Sequence, residues 1–93
     1  MRVLTSPTFN RHAKKLHPNE KQALDGAVRE IMINPQLGDQ KRGDLGGFYI
    51  YKYRFRDQLW LLAYTVDSEE SLTLRLVGAH ENFYKALKRN VGK

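Results

Sequence analysis

Apolar and polar positions follow two different rhythms along this chain, and the change falls near Pro35. Before it, Leu24, Ala27, Val28, Ile31 and Met32 recur at i, i+3, i+4, i+7 and i+8, the spacing of an amphipathic helix with one buried stripe. His17-Pro18-Asn19-Glu20 opens that helix, with proline suited to its first turn. It should stop near Ile33, because Pro35 biases the residue before it out of the helical region. Upstream, Ser6-Pro7 is an N-cap followed by a first-turn proline, and a helix from about Pro7 to Leu16 places Phe9, Ala13 and Leu16 on one face. Arg2 to Thr5 reads as a short strand. The first third of the chain is therefore a strand and a helical hairpin.

After Pro35 the period becomes two. Gly38, Gly43, Gly46 and Gly47 punctuate a loop, with room for a short strand near Lys41–Leu45. Phe48 to Arg56 then alternates, Tyr49, Tyr51, Tyr53 and Phe55 on one face and Ile50, Lys52, Arg54 and Arg56 on the other. This predicts a strand with one buried and one wet face. Asp57-Gln58 is a tight connection, and the nearly continuous apolar run Leu59–Val66 predicts a central strand covered on both sides. Asp67 to Glu70 is a turn, Ser71 to Val77 a further strand, and about Glu81 to Arg89 a closing helix after Gly78. The expected fold is α+β: an N-terminal strand and helical hairpin packed on an antiparallel sheet of about four strands, with a short C-terminal helix.

At 93 residues the chain fits one domain, 1–93. It has no cysteine, which excludes disulfides, a thiol nucleophile and a cysteine zinc site and makes the cytoplasm the expected compartment. No apolar run approaches the roughly 20 residues of a membrane span, and no secretory leader is visible, so no membrane role is expected. The net charge of +6 favours polyanionic partners such as nucleic acid, the ribosome or an acidic protein.

The placement of the cations sharpens this picture. No acid interrupts Phe48–Arg56, and Lys52, Arg54 and Arg56 are spaced to project from one strand face, roughly 7 Å apart. They form either a phosphate-binding row or a solvated face that discourages edge pairing. Lys85, Lys88 and Arg89 read first as partners of a helix C-terminus. His12 and His17 read as surface or capping residues. His80 stands at a strand-to-helix junction before Glu81-Asn82-Phe83-Tyr84, either as a capping residue or as a general acid or base. Tyr84 is either a core residue or a hydroxyl presented to the same place. Trp60, in an apolar strand, reads as a core anchor, and Arg75 as a partner for Asp57 or Glu69. The histidines lack HxxxH or HxH spacing, and no Gly-rich phosphate loop or nucleophile elbow occurs, so neither a metal nor a cofactor is expected.

Several segments, in order, resemble a known family: Lys41-Arg42-Gly43-Asp44-Leu45, Tyr51-Lys52-Tyr53-Arg54-Phe55-Arg56, Trp60-Leu61-Leu62-Ala63-Tyr64, and Val77-Gly78-Ala79-His80-Glu81-Asn82-Phe83-Tyr84. In this order and spacing they resemble the RelE/ParE superfamily of toxins from bacterial toxin–antitoxin pairs. The resemblance implies a small basic protein that cleaves messenger RNA on the ribosome without metal, a ribose 2′-OH attacking the adjacent phosphate. Lys52 and Arg54 match two RelE lysines, whereas Leu61 and His80 stand where RelE carries arginines. His80 and Tyr84 are closer to the YafQ and YoeB branches. On this basis His80 is the candidate acid or base, Lys52 and Arg54 hold phosphate, and Tyr84 stacks on a base. Arg56, Arg75, Lys41, Arg42, Trp60 and Lys85 complete the candidate RNA-contacting set, and Glu81 is a weaker candidate. The implied partners are a cognate antitoxin, acidic and partly disordered when free, the ribosome with its messenger, and operator DNA only through the antitoxin complex. Two alternatives stay open: a ParE-like poison of DNA gyrase without nuclease activity, and a degenerate toxin acting mainly through its antitoxin.

Overall fold

The computed structural model describes residues 1–90. The order is β1 (Arg2–Thr5), α1 (Pro7–Lys14), α2 (Pro18–Ile33), β2 (Asp39–Gln40), a 3₁₀ turn (Gly43–Leu45), β3 (Tyr49–Phe55), β4 (Gln58–Ser68), β5 (Ser71–Ala79) and α3 (His80–Asn90). The architecture is α+β as expected, and α2 has the predicted bounds. The helical hairpin is fixed locally. Ser6 Oγ accepts from the Phe9 N–H at 3.1 Å to cap α1, and the Glu20 carboxylate accepts from the His17 N–H at 2.8 Å at the start of α2.

Four details differ from the sequence expectation. The sheet has five strands in the order β1-β5-β4-β3-β2 and is mixed. β1 lies parallel to β5, Val3 against Leu72 and Thr5 against Leu74, because the β2–β5 meander leaves β5 with an open outer edge. The additional short strand is Asp39–Gln40, paired with Ile50 and Tyr49, not Lys41–Leu45. There Gly43 at φ +70 and the Gly46 N–H bond to the Gly43 carbonyl close a 3₁₀ turn that buries Leu45. Arg56 leaves the β3 row: Arg56 and Asp57 have φ 53 and 62, the positive values of a two-residue hairpin turn. Finally, the β3 face expected to be wet is only partly so, for the sheet has a core on each side.

On the hairpin side Phe9, Leu24, Ala27 and Ile31 pack on Leu62, Tyr64 and Leu72, with Tyr49, Tyr51 and Tyr53 around them. On the other side Phe83 and Leu87 of α3 pack with Leu45 on Ile50, Leu61, Ala63 and Leu76. α3 thus covers the Ile50 end of one β3 face and leaves Lys52 and Arg54 exposed farther along it.

One buried hydroxyl ties the loop after α2 to the sheet. Tyr64 Oη donates to the Pro35 carbonyl at 2.6 Å and accepts from the Gly38 N–H at 3.0 Å. A Cβ at Gly38 would lie 2.9 Å from that oxygen, so glycine is required by close approach. Tyr64→Phe strands a buried donor and acceptor and should destabilise the fold by about 1–3 kcal/mol. Urea unfolding checks this, and an unchanged midpoint would contradict it.

Candidate functional site

Strand register assembles the site. Lys52 is opposite Leu61, and Leu61 is opposite Gly78. Arg54 is opposite Leu59, and the next β4 residue, Trp60, pairs with Ala79, the residue before His80. Cross-strand partners share a face, so Lys52 and Arg54 stand on the face that α3 covers. The two strand spacings from β3 to β5 put their backbones about 10 Å from the β5–α3 junction, within reach of long side chains.

His80 is the first residue of α3 and is exposed. Its ring meets the Tyr84 ring edge-on, with centroids 6.3 Å apart and planes at 86°, as expected for residues one helical turn apart. Tyr84 is half-buried and braced edge-to-face by Phe83 at 5.6 Å. Lys41 Nζ stands 5.6 Å from the centre of the Tyr84 ring, a cation–π contact. The Lys41 N–H bonds the Phe48 carbonyl at 2.8 Å, which anchors the lysine backbone beside β3. His80, Tyr84 and Lys41 therefore form one continuous cluster.

The remaining candidates separate into groups. Lys52 and Arg54 have no ion pair among the described residues. Arg42 is exposed beside Lys41, and Lys85 is exposed beside Tyr84 on α3. Glu81 is exposed in the first turn of α3. Arg56 is turned away in the hairpin loop, its guanidinium 5.2 Å from the Phe55 ring centre. Trp60 is 8% exposed and lies opposite Tyr53. It therefore belongs to the hairpin face, behind the row of Lys52 and Arg54, and its Nε1 is buried without a partner among the described residues. Arg75 pairs with neither Asp57 nor Glu69. It lies 4.0 Å from Asp67, and its Nε donates to Thr65 Oγ1 at 3.1 Å. His12 is held below the ordinary imidazole range by burial first, and then by the charges of Lys15 and Arg11. Among the described residues no cluster of His, Asp or Glu could hold a metal ion, and no helix is long and apolar enough to cross a membrane.

Sequence reasoning did not anticipate Lys41 over Tyr84. The signal available for it was a cation placed just before a Gly-rich loop. Chemically, the arrangement offers two exposed cations without an ion pair among the described residues, an exposed imidazole on the same side of the sheet and an aromatic ring held from two sides.

Comparison with known proteins identifies the fold and the family. The chain is similar in structure to the toxin–antitoxin complex RelBE2 from Mycobacterium tuberculosis, with a TM-score of 0.73, 21% identity, and 85% of this chain and 96% of that chain covered. It is also similar to a mutant of the E. coli toxin RelE in the free state, with a TM-score of 0.71, 20% identity and 96% of each chain covered. A third similar structure is the intact E. coli RelBE toxin–antitoxin complex, with a TM-score of 0.67, 18% identity, and 86% and 96% covered. At such identities these likenesses establish a shared fold. None of the curated protein sequences matches the chain. The model of the ParE-like toxin of type II bacterial toxin–antitoxin systems matches residues 3–88, nearly the whole chain, and the chain belongs to that family.

Proposed function

We propose that this toxin is an endoribonuclease that cuts messenger RNA on the ribosome, in the cytoplasm, by attack of a ribose 2′-OH on the neighbouring phosphate. The observation that carries the reading is that Lys52 and Arg54, exposed and without an ion pair among the described residues, stand on the same sheet side as the His80–Tyr84–Lys41 cluster. The reaction moves a proton off the 2′-OH and a proton onto the departing 5′ oxygen, and charge accumulates on the phosphorane between these steps. His80 serves as the acid or base. Lys52 and Arg54 hold the phosphate and stabilise the developing charge. Tyr84 stacks on a base, with Lys41 keeping its ring in place, and Arg42 and Lys85 add to the field that draws in the strand.

The RelBE structures are complexes of a toxin with an antitoxin, and a cognate antitoxin is proposed here too. A groove of about 660 Å³ between α1 and α2 has an apolar floor including Phe9, Leu24 and Val28 and a rim where Arg11, Lys14 and Lys21 outnumber the one carboxylate, Asp25. That suits the apolar face of an acidic segment that folds on binding. Operator DNA would then be met only through the complex.

Two observations favour a second reading, a gyrase poison that cuts no RNA. The matching family model is ParE-like, and Leu61 is fully buried, so no cation occupies that central position. A translation extract separates the two. Messenger cleavage only when ribosomes are present supports the nuclease, whereas intact messenger together with gyrase-dependent DNA breaks supports the poison.

A further inference from the structure

A second basic cleft lies farther back along β5. Where β1 turns into α1, a cleft of about 400 Å³ is lined by Ser6 and Arg11 from the start of the hairpin, Phe48 from the approach to β3, Arg75 and Leu76 from β5, and Leu87 from α3. Among the described residues no carboxylate lines it, and its size falls within the range of small-ligand sites.

Its most telling feature is how Arg75 is held. Ala63 pairs with Leu76 and Tyr64 with Leu74, so Arg75 is the extra residue of a β-bulge, a device that re-aims a side chain. Asp67 is the extra residue of a second bulge, between the Val66–Leu72 and Ser68–Ser71 pairs. The Asp67 carboxylate accepts from both Thr65 and Thr73 and stands behind one Nη of Arg75. The guanidinium is thus hydrogen-bonded through Nε, with Asp67 4.0 Å from Nη2, while neither Nη has a hydrogen-bond partner among the described residues. Among the described residues the side chain of Arg11, exposed on α1, makes one hydrogen bond, a long one of 3.4 Å to Thr8 Oγ1. The floor is an aromatic ring and two leucines.

We propose that this cleft is a second nucleotide subsite: Phe48, Leu76 and Leu87 take the base, and the Arg75 and Arg11 guanidiniums take its phosphate. Assigning that nucleotide to the strand cut beside His80 rests on the nuclease reading above. The two places are built on shared elements. Leu87 is one helical turn beyond Tyr84, and the Phe48 carbonyl holds the Lys41 backbone. From Ala79 back to Arg75 the strand covers about 13 Å, a span that a short oligonucleotide bridges.

The test uses the full chain with AMP as probe and amide chemical shifts as readout. AMP should shift the signals around Phe48, Arg75 and Leu87, and Arg11→Gln or Arg75→Gln should weaken it at least about tenfold. Because Arg75→Gln also disturbs the Asp67 network, the surface variant Arg11→Gln decides if the former unfolds. In Lys52→Ala the AMP-induced shifts around Phe48, Arg75 and Leu87 should persist. AMP shifts confined to Lys52, Arg54 and His80, or no AMP shifts at all, overturn the proposal. So does a glutamate-rich peptide that shifts the cleft signals when AMP does not, which would make the cleft a seat for an acidic protein segment. Failure of the nuclease reading is separately visible: extracts would show no cleavage while AMP still occupied the cleft.

Discussion

Replacing Lys52 and Arg54 together by alanine should lower messenger cleavage by at least about 10²–10³-fold, the loss typical when groups that stabilise transition-state charge are removed. The same variant should release growth inhibition. Both side chains are exposed and neither has an ion pair among the described residues. Surface changes of that kind alter stability by roughly 0.5 kcal/mol or less. A melting temperature close to that of the parent would therefore accompany the loss. Leu61, directly opposite Lys52, is fully buried and contributes no charge of its own. A doubly substituted protein that folds and still arrests growth would mean that phosphate is held elsewhere.

The second large effect is expected at His80. His80→Gln keeps a side chain able to hydrogen-bond but cannot move a proton near neutral pH, and general acid–base groups contribute typically about 10²–10⁴-fold. The imidazole is exposed and opens α3 instead of packing in a core, so the helix should form without it. Measured in ribosome-containing extract, cleavage should fall by that factor while retention of the RNA–ribosome complex stays near normal. Equal loss of binding and cleavage would recast His80 as a contact residue. Unchanged cleavage would remove it from the chemistry.

The parts of this fold set by neighbouring residues were legible in the sequence. The i, i+3, i+4 stripe, Pro18 and Pro35 mark where α2 opens and where it stops near Ile33, and the aromatic alternation of β3 assigns its two faces correctly up to Phe55. What lay beyond reach depends on partners distant in the chain. Nothing near Arg2–Thr5 announces a parallel partner some seventy positions away. The face of Ile50, Lys52 and Arg54 reads as uniformly wet until α3 is seen lying on one end of it. Arg56 continues the alternation in the sequence, but two positive φ angles place it in the turn. Neither Asp-Gly nor Asn-Gly marks that turn. The site divides in the same way. Lys52 with Arg54, and His80 with Tyr84, share elements and are readable from spacing, one by a period of two and the other by a helical turn. Lys41 over Tyr84 is a product of long-range packing, and the pairing of Arg75 with Asp67 depends on two bulges in the β4–β5 hairpin that no residue in the sequence announces.

The chemistry of the cut ends tests the central claim most directly. Messenger translated in the presence of the purified toxin would be recovered and both termini at each break identified. Attack by a 2′-OH requires a 2′,3′-cyclic phosphate, or its hydrolysed form, on one fragment and a free 5′-OH on the other, with both products depleted in the His80→Gln protein. Breaks ending in 5′-phosphate, or uncut messenger beside broken DNA, would contradict the account.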